Sequence, residues 1–170
     1  MACATVLAAP FRGSATTHLV TGLLPLRCAD NLSAGAKHAG LSSLLMIESS
    51  SGHVEPRLDV DTRTAGFGSI GFEPGVCLRP KSYGLLVSEP DADMASSAEA
   101  LAATWERALH RRKRFPPSLS VRLIVGTILA HVGRASTIMR GVGMAHQAIR
   151  TGDALARLQS FRGPARASEG

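Results

Sequence analysis

The sequence predicts a mainly α protein: a small C-terminal bundle of two or three helices behind a largely irregular N-terminal half that contains short strand fragments. Three observations predict it. A cap, an apolar stripe and a stop follow one another between Ser96 and Pro117. A second apolar stripe runs through residues 119 to 150, and before residue 90 glycine and proline interrupt every longer element.

Residues 1–53 read as an irregular or targeting-like segment. Up to Ile47 the only acid is Asp30, and Ala, Ser, Thr and Leu dominate, with Arg12, Arg27 and Lys37 dispersed among them. That composition resembles an organellar transit peptide, although an unstructured terminus of biased composition accounts for it better. A secretory signal fits worse, because MACATVLAAP lacks a positive start and Pro10 and Arg12 cut its apolar run. The runs HLVTGLLPL and LSSLLMI are too short to be typed by periodicity; the second suits a helical turn or two after Gly40. SAGAKHAG between them reads as loop. Residues 54–90 form a Gly/Pro-rich segment in which Leu58, Val60 and Thr62 alternate with Asp59 and Asp61, the pattern of a short half-exposed strand.

Residues 91–162 read as a basic helical domain, and 163–170 as a tail. Ser96 and Glu99 have capping-box spacing; Ala98, Leu101, Ala102, Trp105, Ala108 and Leu109 recur at three and four; Pro116 and Pro117 forbid continuation. In the next stretch, Ile124, Val125, Ile128, Val132, Ala135, Met139 and Val142 fall on one side of a single helix, with Arg122 and Arg140 opposite. A strand reading of VRLIVGTILAHV, with Gly126 at a bulge, is weaker because the stripe persists beyond Gly133. The uninterrupted run Leu123 to Val132 is about half of the roughly 20 residues that span a bilayer. A further helix is predicted from Asp153 to Phe161.

Charge divides the chain. Residues 1–93 carry seven Lys and Arg against nine Asp and Glu, a balance of −2, whereas residues 94–170 carry twelve against four, a balance of +8. The second half therefore attracts phosphates, anionic lipid or an acidic protein surface. Five cations and a histidine crowd the eight residues from Arg107 to Arg114, more than a helix C-terminus requires. Cys3, Cys28 and Cys77 are odd in number and widely spaced, which points to no disulfide framework or zinc site and to a reducing intracellular compartment.

Catalytic motifs fail on inspection. GFGSIG, Gly66 to Gly71, matches G-x-G-x-x-G, but Glu73-Pro74-Gly75 follows where a helix should receive a pyrophosphate. Ser69 lacks the first glycine of a nucleophile elbow, because Phe67 stands there. Asp59/Asp61 and Asp91/Asp93 lack the further ligands of a calcium loop, and the histidines at 18, 38, 53, 110, 131 and 146 never take metal-ligand spacing. His131 and His146 lie on or beside the second stripe and read as hydrogen-bonded core or boundary residues.

These features predict a non-enzymatic interaction or assembly protein whose basic helical domain docks on an anionic or protein partner. The residues that would meet it are Arg107, Arg111, Arg112, Lys113, Arg114, Arg122 and Arg140. The same charge suits two alternatives: a non-specific nucleic-acid binder, and a membrane-surface protein with a basic amphipathic helix. A protein partner or second copy is expected; no cofactor and no small-molecule substrate is indicated.

Overall fold

The computed structural model describes residues 18–23, 28–48, 56, 58–68, 75–85, 98–110 and 115–161. Strands β1 (His18–Leu23), β2 (Ser43–Glu48), β3 (Thr62–Phe67) and β4 (Cys77–Leu78) form one sheet in the order β1-β2-β3-β4. β1 and β2 are parallel and are joined across helix α1 (Ala29–His38); the other two pairs are antiparallel. Helices α2 (Ala98–Leu109), α3 (Pro116–His131), α4 (Ile138–Thr151) and α5 (Asp153–Phe161) follow. The mainly α class predicted from sequence is therefore corrected. The N-terminal half contributes a mixed four-stranded sheet and a crossover helix, and the chain is α/β.

Strand β2 explains the error. Ser43, Leu44, Leu45, Met46 and Ile47 are all buried, because β2 lies between β1 and β3 and both of its faces are covered. A central strand of this kind reads as a continuous apolar run, without the alternation that marks a half-exposed strand. On one face Leu44 and Met46 pack with Ala29 and Ala36 of α1, joined by Leu19, Leu32, Ala65 and Phe67. The sequence of that helix resembles a loop because its inward residues are small and supply no bulky stripe. Asp30 in its first turn and Lys37 and His38 in its last meet the helix dipole with the right signs.

The opposite face of the sheet carries the helical layer. Leu119, Leu123 and Ala130 of α3 and Ile138 and Val142 of α4 share a core cluster with Leu58, Leu78 and Leu85. Gly66 of β3, at φ 137°, is obligatory, since a Cβ there would overlap the Leu44 carbonyl oxygen. Three residues of the G-x-G-x-x-G match, Gly66 to Gly68, are thus spent on strand β3 and its exit, while residues 69–74 lie outside the described set. The alternation predicted over Leu58, Val60 and Thr62 is corrected: Leu58 and Thr62 are buried but Val60 is exposed, and the strand begins only at Thr62.

α5 occupies the range predicted from sequence, and α2 ends at Leu109 before the cationic run. Ser96 of the proposed capping box lies outside the described residues. The single helix predicted over the second stripe is two helices. α3 stops at His131, Gly133 takes φ 72°, and the Thr137 hydroxyl caps α4 by accepting from the Arg140 amide at 3.1 Å. α4 folds back on α3 where Gly126 and Gly141 let the two backbones approach closely, with the Val142 side chain packed against Gly126. A Cβ at Gly126 would lie 2.5 Å from the Val142 nitrogen, and one at Gly141 would overlap the Gly126 carbonyl.

Gly126→Ala is expected to destabilise the protein by about 1–3 kcal/mol, the range for forcing atoms into a filled core. Gly143→Ala, one residue beyond Val142 where a Cβ meets nothing, should leave stability unchanged or raise it by about 0.5–1 kcal/mol. Urea unfolding midpoints of the two variants check the contrast.

Candidate anion-binding site

Of the seven predicted contact residues, the structure describes three: Arg107, Arg122 and Arg140. Arg111, Arg112, Lys113 and Arg114 lie outside the described residues. Arg107 is exposed near the end of α2, donates to Thr104 Oγ1 at 3.1 Å and lies over the Phe115 ring at 5.9 Å. Arg140 is exposed in the first turn of α4. Arg122 lies on α3, half-buried, one turn before the Gly126 contact.

The back-folding of α4 decides what Arg122 meets. Gly126 faces Gly141 and Val142, so a residue one turn earlier on α3 faces a residue one turn later on α4, and that residue is His146. Arg150 stands four positions beyond His146, on the same face of α4. Arg122, His146 and Arg150 therefore converge, while Arg140 lies ten residues from Arg150, roughly 15 Å along the helix. His146 and Arg150 are absent from the set predicted by sequence. Their i,i+4 spacing is visible there, but their relation to Arg122 depends on a hairpin that the single-helix reading removes.

The electrostatics agree with this placement. Burial, then the positive charge of Arg122, then that of Arg150, hold the His146 imidazole below its ordinary pKa. Burial also lowers the pKa of the Arg122 guanidinium. The Nε–H of Arg122 is shielded from solvent without a hydrogen-bond partner among the described residues, and its Nη2 reaches Ser118 Oγ only at 3.5 Å. Arg150 donates from Nε to Gln147 Oε1 at 3.0 Å, an arrangement that steadies its guanidinium and leaves the terminal nitrogens available. No carboxylate among the described residues bonds to any of the three.

A second polar cluster joins the sheet to the helices. Ser43 Oγ lies 2.6 Å from His18 Nδ1 and 2.9 Å from His131 Nε2. The serine hydroxyl bridges the two rings, so the trio links β1, β2 and the last residue of α3. Serine beside histidine suggests a nucleophile and its base, yet Ser43 and His131 are both fully buried. The cluster also sits at the amino ends of the parallel strands, whereas open α/β sheets bind ligands beyond the carboxyl ends. Its role is to hold the layers in register. Elsewhere, Asp61 pairs with Arg79 at 3.4 Å on the surface, and no group of three metal-ligating side chains occurs among the described residues. No helix among them is long and apolar enough to cross a membrane.

The likeness of this chain to known proteins concerns its architecture. The chain is similar in fold to the crystal structure of anthranilate phosphoribosyltransferase from Thermus thermophilus, with a TM-score of 0.69 and 20% sequence identity. The match covers 86% of this chain and 42% of that one. It supports the α/β class over the mainly α one. No protein-family model and no curated protein matches the chain.

The histidine of the second cluster makes acid stability testable. Burial, with a smaller repulsion from His18, holds His131 at a pKa of about 4 against an ordinary 6.5. On acidification the unfolded chain takes up this proton first. The contribution is therefore complete above about pH 6.5, is lost as pH falls towards 4, and is on the order of 2–3 kcal/mol. His131→Gln should flatten the dependence of the urea midpoint on pH across that window relative to the unaltered chain.

Proposed function

We propose that the chain is a non-enzymatic interaction or assembly protein that docks on an anionic partner through the face built by Arg122, His146 and Arg150. One observation supports the reading: two guanidinium groups and an imidazole converge from two helices, and among the described residues no carboxylate answers them. Like charges brought together repel, and a half-buried guanidinium is further destabilised by lost solvation. An incoming anion relieves both effects. Arg suits this task because its planar donors grip a carboxylate or phosphate in two places. In this reading the cationic run ending at Arg114 adds long-range attraction, while the α3–α4 face supplies the grip.

The likeness to a solved phosphoribosyltransferase favours a second, enzymatic reading in which this face holds the phosphate of a phosphoribosyl compound. The chain spans 42% of that protein, so the activity stands as a proposal. Turnover of anthranilate with a phosphoribosyl diphosphate by the purified chain would support it.

The docking reading is tested by titrating the full chain with a glutamate-rich peptide, a short DNA duplex, and anionic or neutral vesicles. The expected result is peptide binding that weakens as salt rises and falls by about tenfold or more in Arg150→Gln. Binding confined to DNA, with a steep salt dependence, would favour a nucleic-acid protein; flotation with anionic vesicles alone would favour a membrane-surface one. Absence of binding to all of them and to a phosphate monoester such as phenyl phosphate overturns the reading.

A further inference from the structure

We infer that the group received between α3 and α4 is a phosphate monoester dianion, held by Arg122 and Arg150 with His146 as a third donor. The inference rests on the docking reading and narrows the chemistry of that site. It follows from counting charges and donors. Arg122 and Arg150 bring two positive charges to one face of the hairpin, and burial, followed by the charges of these two groups, keeps His146 below its ordinary pKa. A carboxylate or a phosphodiester brings a single negative charge and two free oxygens, which leaves one guanidinium unmatched. A phosphate monoester carries about −1.5 to −2 near neutral pH and presents three acceptor oxygens, so it matches both cations and offers an oxygen to each of the three donor groups.

The donor geometry narrows the choice in the same direction. Arg150 is exposed and already engaged through Nε by Gln147 Oε1, which leaves the fork of its two terminal nitrogens for a ligand. Arg122 is tethered only by the 3.5 Å contact to Ser118 Oγ, and burial has stripped its Nε–H of water. A guanidinium in that state gains more from a full counter-charge than one in solvent does. One N–H of the His146 imidazole suffices for the third oxygen.

A phosphorylated side chain on a partner protein presents this group; a nucleic-acid backbone, built of diesters, does not. Small probes separate the two. The full chain is titrated near neutral pH with phenyl phosphate, dimethyl phosphate and acetate, following the side-chain resonances of Arg122, His146 and Arg150 by NMR. The expected result is that phenyl phosphate binds about tenfold or more tightly than either monoanion. That preference should disappear in Arg150→Gln and survive in Arg140→Gln, which alters the far end of the same helix. Because Arg122 is half-buried and its variant risks misfolding, Arg150→Gln carries the test, with the chemical shifts of residues distant from the face reporting that the fold is kept. Equal affinity for all three probes overturns the dianion inference. So does binding of the glutamate-rich peptide at this face without binding of phenyl phosphate, and in both cases the docking reading survives. Failure of every small probe and of the peptide overturns both.

Discussion

The close approach of α3 and α4 at Gly126 and Gly141 is the constraint on which the rest of this structure depends. Where two helices touch through backbone, neither can rotate or slide without driving a side chain into the other. The contact fixes which residues of α4 look toward the sheet, and so places Ile138 and Val142 in the cluster with Leu58, Leu78 and Leu85. It equally fixes which residues look the other way across the hairpin. His146 lies near Arg122 because Arg122 stands one turn before Gly126 and His146 one turn after Val142, which Gly126 touches. A core and a cationic face are two sides of one register.

The sheet depends on that register at a second point. α3 ends on His131, whose Nε2 reaches the hydroxyl of Ser43 at the start of β2, while Ser43 in turn holds His18 at the start of β1. Ser43 and His131 are buried together, and buried polar groups are costly if either loses its partner, so the pair favours one arrangement of the layers over near alternatives. The bond spans 88 positions of sequence, and it can form only when the helix hairpin is already seated on the sheet.

Legibility in the sequence follows the size of the side chains. α2 and α5 can be read because Trp105, Leu109, Leu155 and Leu158 recur with helical spacing and breakers follow. α1 escapes notice because Ala29 and Ala36 pack inward without a bulky stripe, and β2 because burial on both faces erases alternation. The α3–α4 hairpin is concealed by an accident of phase: aliphatic residues on either side of Gly133 continue one helical stripe across a turn. That accident hides the site as well. Arg122 stands out by its charge, but a straight helix groups it with Arg140, whereas the folded one sets it beside His146 and Arg150. The likeness to a phosphoribosyltransferase at 20% identity makes the same point about architecture, which tolerates wide change of sequence so long as volumes and registers are kept.

The distance between the two backbones can be measured directly. In the isotopically labelled full chain, nuclear Overhauser effects are sought between the α protons of Gly126 and both the amide proton of Val142 and the α protons of Gly141. Strong cross-peaks are expected for these pairs, because a Cβ on Gly126 would reach to 2.5 Å from the Val142 nitrogen. Helical chemical shifts through α3 and α4 without those cross-peaks would mean that the helices form but do not meet there. The shared core and the Arg122–His146–Arg150 face would then both be lost.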